Sequence, residues 1–297
     1  NDDLKKIVYI SSTNIRVVPL THYAWITTHE SVIEKEKLTE VGQKMKEIIN
    51  KPIQLADNEG NFIEANYYKI NNMLQYFEKN KIFVKRQFVL NQLIGYLKNK
   101  NYLPAICFIF TKKNLEIAAN EISLNLFEKD EKTSSIIEKE CEKILISKLK
   151  NYKDYLLLPE YISMMKLLKK GIAIHHAGVL PILREMIELL FEKKYIKLLF
   201  ATETFAVGIN MPTKTVIFTS LNKFSGSNHR YLLPHEYTQM AGRAGRRGID
   251  KIGHVIHCNN LFYDKISIND YKKMLVGSPK MLTSQFKISF NLILNII

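Results

Sequence analysis

From residue 104 onward, short apolar runs alternate with stretches whose apolar residues recur at helical spacing, and this alternation restricts the fold more than any other feature. The run PAICFIF (104–110) has no polar face, as a strand covered on both sides requires. It leads into TKKNLEIAANEISLNLF (111–127), where Leu115, Ala118, Ala119, Ile122 and Leu126 fall on one side of a helix. After a charged stretch to about 170 the unit repeats as GIAIHHAG (171–178) and PILREMIELLFEKKY (181–195), with Pro181 at a favourable first helical position and Lys193 and Lys194 near the helix end. IKLLFAT (196–202), TVIFTS (215–220), a helical patch at 236–244 and GHVIHC (253–258) complete the series. Apolar strands alternating with helices predict an α/β fold, a parallel sheet with helices on both faces.

Outside this series the pattern is weaker. IVYIS (7–11) and IRVVPL (15–20) read as short extended segments of an N-terminal arm, and Pro19 makes the second an edge or irregular strand. Residues 30–100 are helical in tendency but broken by Pro52, Asn58 and Gly60, which predicts peripheral helices with a mobile loop. The final KMLTSQFKISFNLILNII (280–297) is an apolar helix without a closing polar cap, as expected where a further domain follows. The organisation expected is therefore an arm and peripheral region over 1–100, a sheet domain over 101–280 and the start of a further domain over 281–297.

Charge narrows the class of partner. Forty-three Lys and Arg against 29 acidic residues give a net charge of +14, which favours a polyanion, nucleic acid ahead of a membrane surface. Cys107, Cys141 and Cys258 are far apart and lack Cys-x-x-Cys spacing, so neither a disulfide framework nor a cysteine zinc site is indicated. No apolar stretch approaches the length of a membrane span, and the acidic start Asn1-Asp2-Asp3 is unlike a signal peptide. A soluble, intracellular protein is expected, with nucleus and cytoplasm left open.

Three strings carry chemistry. In YTQMAGRAGRRGID (237–250), Gln239, Arg243 and Arg246 stand at i, i+4 and i+7, a spacing that predicts one amide and two guanidiniums on a shared helical face. Guanidinium groups grasp phosphate oxygens through several donors and stabilise charge on a transferring phosphoryl group. FATETFAVGINMP (200–212) places Thr202, Gly208 and Asn210 beyond the carboxyl end of a strand, where open parallel sheets bind ligands. Thr202 suits donation to a backbone phosphate, and Gly208 admits one closely. HHAGVLPILR (175–184) sets His176 and Gly178 before a helix N-terminus suited to an anion, with Arg184 in its first turns. The paired histidines do not make a metal site: adjacent strand residues point to opposite faces, and His254, His257 and Cys258 add no ligand spacing.

On these residues the chain resembles the DExH-box RNA helicases of superfamily two, in particular their superkiller and nuclear-exosome-associated (Ski2-like) branch. GRAGRRG (242–248) corresponds to the family's motif six, ATETFAVGINMP (201–212) to motif five, FIFTKK (108–113) to motif four, and HHAG (175–178) to its companion RNA-contacting motif. The resemblance is close over 5–20 and 100–297 and weak between them. It implies a second RecA-like domain, the ATP-sensing half of a helicase motor.

By the same resemblance, Gln239, Arg243 and Arg246 sense the ATP γ-phosphate, with Gly208 and Asn210 linking that site to RNA. Thr111, Lys112, Lys113, His176, Gly178, Arg184 and Thr202 line the RNA track, mostly against backbone. SQFKISFNLILNII (284–297) corresponds to the first helix of a winged-helix domain. ATP and Mg²⁺ are the implied cofactors, held mainly by a first RecA-like domain in cis. RNA is the implied partner, with the RNA exosome and its adaptors beyond it.

Two departures stand out. The 297 residues contain neither a G-x-x-x-x-G-K-[ST] loop nor Asp-Glu-x-His, so the chain alone is not expected to hydrolyse ATP. RVVPL (16–20) has valine where the family tends to carry proline. The basic charge and missing phosphate loop also suit an alternative, a standalone, non-catalytic RNA-binding module. An interaction scaffold would leave Arg243 and Arg246 without a purpose.

Overall fold

A computed structural model describes residues 16–127, 131–206, 211–226, 228–263 and 265–276. In chain order β1 (Leu20–Trp25), α1 (Glu30–Lys35), α2 (Glu40–Ile48) and β2 (Ile53–Ala56) precede α3 (Glu64–Lys79), α4 (Arg86–Asn99) and β3 (Ala105–Phe108). Next come α5 (Lys112–Glu121), α6 (Glu131–Lys148), α7 (Tyr152–Leu156), α8 (Pro159–Leu168), β4 (Ile172–His175), α9 (Pro181–Glu192) and β5 (Leu198–Ala201). The last part holds β6 (Thr215–Phe218), a hairpin of β7 (Asn222–Phe224) and β8 (His229–Tyr231), α10 (Pro234–Ala241), β9 (Gly253–Cys258) and α11 (Ile268–Val276).

Seven strands form one sheet in the order β2-β1-β9-β6-β3-β5-β4, parallel throughout except for the pairing of β1 with β2. Strand residues alternate between two apolar layers. Ala105 and Cys107 of β3 join one layer with Leu115, Ala118 and Ala119 of α5, while Ile106 and Phe108 join the other with α9. This period of two is why β3, β5 and β6 are apolar at every position: neither face meets water. The α/β sheet covered on both faces expected from the alternation is the fold observed.

The region before residue 100 differs from the expectation. Pro19 does not hold its segment at the edge, because β1 starts one residue later and pairs along its length with β9, from Leu20 opposite Gly253 to Trp25 opposite Cys258. Pro19 needs no N–H for its own contact, since its carbonyl accepts from Gly253 N at 2.9 Å. Nor are residues 30–100 all peripheral. Val89, Leu90, Leu93, Ile94 and Leu97 make a fully buried stripe of α4, each contributing roughly 1.5–3 kcal/mol by leaving water. Tyr67, Ile70, Met73 and Phe77 of α3 are buried in the opposite layer. The extended segment at 7–11 and the terminal helix at 280–297 lie outside the described residues.

Candidate nucleotide and RNA site

The carboxyl ends of β3, β4 and β5 lie side by side, so three loops meet at one edge of the sheet. After β3 the chain exposes Thr111 as the N-cap of α5, followed by exposed Lys112 and Lys113. Two lysines in a first turn with no acidic residue oppose the helix dipole, which favours anions there.

After β4 the two histidines diverge as strand alternation requires. His175 Nε2 lies 2.9 Å from Glu188 Oε1, and its ring meets Phe205 edge-on. His176 is 3% exposed, and its Nδ1 accepts the Gly178 N–H at 3.0 Å. With Nδ1 accepting, the proton of the neutral ring sits on Nε2, which faces Glu116 Oε1 at 3.0 Å. Burial is the largest influence on this ring and lowers its pKa below 6.5. His176 thus shapes the loop from below, and it is Ala177 and Gly178 that reach the surface. Arg184 is partly exposed in the first turn of α9. Thr202, after β5, is also largely buried, with Oγ1 3.0 Å from Thr204 Oγ1.

The next residue, Glu203, opens a one-turn 3₁₀ segment and pairs with Lys223 of β7 at 2.5 Å. Lys223 also pairs with Glu236 at 2.9 Å, and Arg230 of β8 grips the same carboxylate through both terminal nitrogens at 2.8 and 2.7 Å. Glu236 accepts in addition from the Leu233 N–H at the start of α10. These donors, Arg230 foremost, lower its pKa from 4.5 to about 2. Charge therefore ties the TETFA segment to the first turn of α10.

The helix α10 runs from the carboxyl edge to the amino edge, and there the structure corrects an expectation. Gln239, Arg243 and Arg246 do not share a continuous helical face, because α10 stops at Ala241 with Gly242 as C-cap. Gly245 then turns the chain at φ +86°, and a Cβ on it would sit 2.4 Å from Val18 Cγ1. Gly242 and Gly245 are what end the helix. Gln239 remains exposed on α10, Arg243 and Arg246 are partly exposed in the loop, and Arg247 is exposed.

Main-chain bonds set this loop against the amino end of β6. Thr213 N donates to Arg243 O at 2.8 Å, and Gly245 N donates to Thr213 O at 2.7 Å. The end of GINMP is thereby joined directly to GRAGRRG. Gly208 and Asn210 lie outside the described residues. Burial lowers the pKa of the Arg243 guanidinium, which nevertheless stays charged at any physiological pH. Arg246 makes a two-pronged pair with Asp250, Nε to Oδ2 at 2.7 Å and Nη2 to Oδ1 at 2.8 Å, and its backbone N–H also donates to Asp250. Behind the loop, α10 is anchored by a buried chain. The Tyr237 hydroxyl lies 2.6 Å from His22 Nδ1 and 2.8 Å from His257 Nε2, and His257 Nδ1 lies 2.6 Å from the Tyr271 hydroxyl.

The loop carries two partly exposed guanidiniums on backbone fixed from the sheet, and a guanidinium offers several donors to phosphate oxygens. Among the described residues no group of three or more His, Cys, Asp or Glu side chains is placed to hold a metal ion, and no helix is long and apolar enough to cross a membrane.

Asp250 and Arg16 also shape this site, and the motifs do not mark them. Asp250 was legible as an acid four residues after Arg246. Arg16, which bonds the carbonyls of Gly242 and Ala244, had no signal beyond its place beside an irregular strand.

A family described as the helicase conserved C-terminal domain matches residues 128–248. The chain is 44% identical over 207 residues to the antiviral helicase SKI2 of Saccharomyces cerevisiae, covering 69% of this chain and 16% of that protein. It is 41% identical over 206 residues to the exosome RNA helicase MTR4 of Homo sapiens, covering 69% of this chain and 19% of that one. Similarity to the DExH-box ATP-dependent RNA helicase DExH9 of Arabidopsis thaliana, 35% over 292 residues, takes in 97% of this chain and 28% of that protein, and so includes the region where motifs are weak. The chain spans less than a third of the length of each of these relatives.

Proposed function

Because the chain belongs to the Ski2-like DExH-box RNA helicases, as a C-terminal helicase domain, we propose that it is the second RecA-like half of an ATP-dependent motor that unwinds RNA for exosome-linked processing or decay. The observation that carries the reading is the placement of the candidate groups at two opposite edges of one sheet. Exposed Thr111, Lys112, Lys113 and Gly178 collect at the carboxyl edge. Arg243 and Arg246 sit at the amino edge beside Thr213, and Thr202 sits at the carboxyl edge.

In this reading Gln239, Arg243 and Arg246 meet the γ-phosphate of ATP held mainly, with Mg²⁺, by a first RecA-like domain in cis. ATP supplies the transferring phosphoryl group; the arginines here stabilise its developing charge. Arg246 arrives oriented, since two of its N–H donors are fixed on Asp250 and three remain for a ligand. By the resemblance, Gly208 and Asn210 link that site to the RNA. RNA is held through its backbone by Thr111, Lys112, Lys113, Gly178 and Arg184, while His176 and Thr202 act from beneath by fixing the loops. The relatives' helicase activity does not favour a standalone RNA-binding module.

The test is a pair of assays. The 297-residue chain alone is expected to show no RNA-stimulated ATP hydrolysis, lacking a phosphate loop and the DExH acids. The full-length protein is expected to hydrolyse ATP in an RNA-dependent way and to unwind duplex RNA. Turnover by the purified chain that Arg243→Ala abolishes would contradict the division between two domains.

A further inference from the structure

We propose that Arg16 is a positioning residue for Arg243: it crosses the amino edge from the N-terminal segment and fixes the backbone that presents the finger. The inference rests on the reading that Arg243 meets the γ-phosphate. Arg16 Nη2 donates to Gly242 O at 2.6 Å and to Ala244 O at 2.9 Å, the carbonyls on either side of Arg243. Its Nε donates to Val18 O at 2.6 Å, which locks the side chain to its own strand entrance. From the other direction Thr213 N takes the carbonyl of Arg243 itself at 2.8 Å. Three consecutive carbonyls, at 242, 243 and 244, are thus held from two sides, where a helix has just ended and leaves its last carbonyls without intrahelical donors.

The residue type suits the task. A cation is favoured at a helix C-terminus, and a planar guanidinium serves separated carbonyls in a fixed geometry that an ammonium does not reproduce. Partial burial of the guanidinium lowers the Arg16 pKa, and although the residue as a whole stays exposed, its three bonds all go to main-chain oxygen. Val18, two residues on, presses on Gly245 and closes the same side of the loop. A finger must meet one point in the transition state, and a misplacement of about 1 Å is worth about 10²-fold in rate. The Arg16 bonds remove the freedom that would permit such a shift.

The experiment compares Arg16→Ala, Arg16→Lys, Arg243→Ala and the Arg16→Ala/Arg243→Ala double variant in the full-length protein. Steady-state ATPase, RNA affinity without nucleotide and thermal melts are measured for each. Arg16→Ala is expected to lower kcat by about 10- to 100-fold, with KM for ATP and RNA affinity unchanged. Arg16→Lys, which keeps the charge without the fork, is expected to fall close to Arg16→Ala. The double variant is expected to be no slower than Arg243→Ala, because a residue acting through the finger has nothing left to position.

Wild-type kcat in Arg16→Ala overturns the inference, as do losses that multiply in the double variant or full recovery in Arg16→Lys. Should Arg16→Ala melt below the assay temperature, Arg16→Lys carries the test alone: reduced kcat supports positioning and wild-type kcat overturns it. If Arg243→Ala itself keeps wild-type turnover, the finger reading falls and this inference with it. If Arg243→Ala is inactive while Arg16→Ala is not, only the inference falls.

Discussion

At the carboxyl edge of the sheet the candidate ligand groups are Thr111, Lys112 and Lys113, exposed on one helix N-terminus, whereas at the amino edge Arg246 is clamped by Asp250 and the backbone of Arg243 is held from two directions. Of the buried groups of the carboxyl edge, Thr202 bonds within its own loop, and His176 bonds within its loop and also faces Glu116 of α5. A chain that follows a moving polymer needs charge near the phosphates and tolerates several geometries; a group that stabilises one transition state needs a single geometry. The difference in restraint between the edges matches the difference between the two tasks proposed for them.

The largest expected effect sharpens this contrast. In the full-length protein Arg243→Ala should lower kcat by about 10³-fold or more, the range of arginine fingers in phosphoryl transfer, with little change in RNA affinity. Arg243→Lys should not recover it, because a point charge lacks the planar fork. The Lys112→Ala/Lys113→Ala variant should do the reverse, weakening RNA binding while turnover at saturating RNA stays near wild type. Equal loss of turnover at both edges, measured by ATPase titrations against RNA, would break the comparison.

A second effect concerns α10, which joins the edges. Burial lowers the pKa of His22 from 6.5 to about 3 and that of His257 well below 6.5, so both rings are neutral in the fold. The unfolded chain binds these protons more readily, and stability is therefore present above pH 6.5 and lost as the pH falls below it. The slope is about 1.4 kcal/mol per pH unit for each ring. Glu236, depressed from 4.5 to about 2, adds a further loss below pH 4.5 that Glu236→Gln should remove. Melting temperatures of the chain from pH 7.5 to 4 should fall accordingly; a flat profile between pH 6.5 and 5 would show that the rings are not held neutral.

A smaller effect isolates the charge at the carboxyl edge. Binding to single-stranded RNA should be indifferent to sequence and fall with salt, losing about 0.7 in logarithmic slope for each phosphate contact removed. Fluorescence anisotropy of the Lys112→Ala/Lys113→Ala chain over a salt series should show a shallower slope than wild type. An unchanged slope would move the RNA contact away from α5.

The fold was legible where each strand is buried on both faces, because a run such as AICF or LLFA has no other stable setting. It was less legible in α4, although Val89, Leu90, Leu93, Ile94 and Leu97 keep helical spacing, since the Asn- and Lys-rich flanks dilute the pattern. β1 was obscured by Pro19, whose constraint ends one residue before the strand begins. In the candidate site the strings identified Arg243 and Arg246, but residue spacing assumes a continuing helix, and Gly242 and Gly245 end it. The Arg16 contacts were invisible in sequence because they join residues more than two hundred positions apart through main-chain oxygens, which carry no side-chain signature.

The smallest expected effect belongs to Arg247, which separates geometry from mere charge at the amino edge. It lies in the same basic string as Arg243 and Arg246, so if GRAGRRG works only by raising local positive potential, the three arginines should be nearly interchangeable. The structure distinguishes them: Arg246 has Asp250, Arg243 has its main chain fixed by Thr213 and by Arg16 on both sides, and Arg247 is exposed. An exposed arginine retains its rotamer freedom and its water, so it supplies potential that salt screens over a Debye length of about 8 Å at physiological ionic strength. Arg247→Ala should accordingly leave kcat near wild type and cost about 0.5 kcal/mol or less in stability, the usual range for surface substitutions. Matched ATPase assays at low and high salt decide the matter. A loss in Arg247→Ala comparable to that in Arg243→Ala, shrinking as salt is raised, would mean that the loop acts through its field and that the restraint at this edge serves the fold rather than the chemistry.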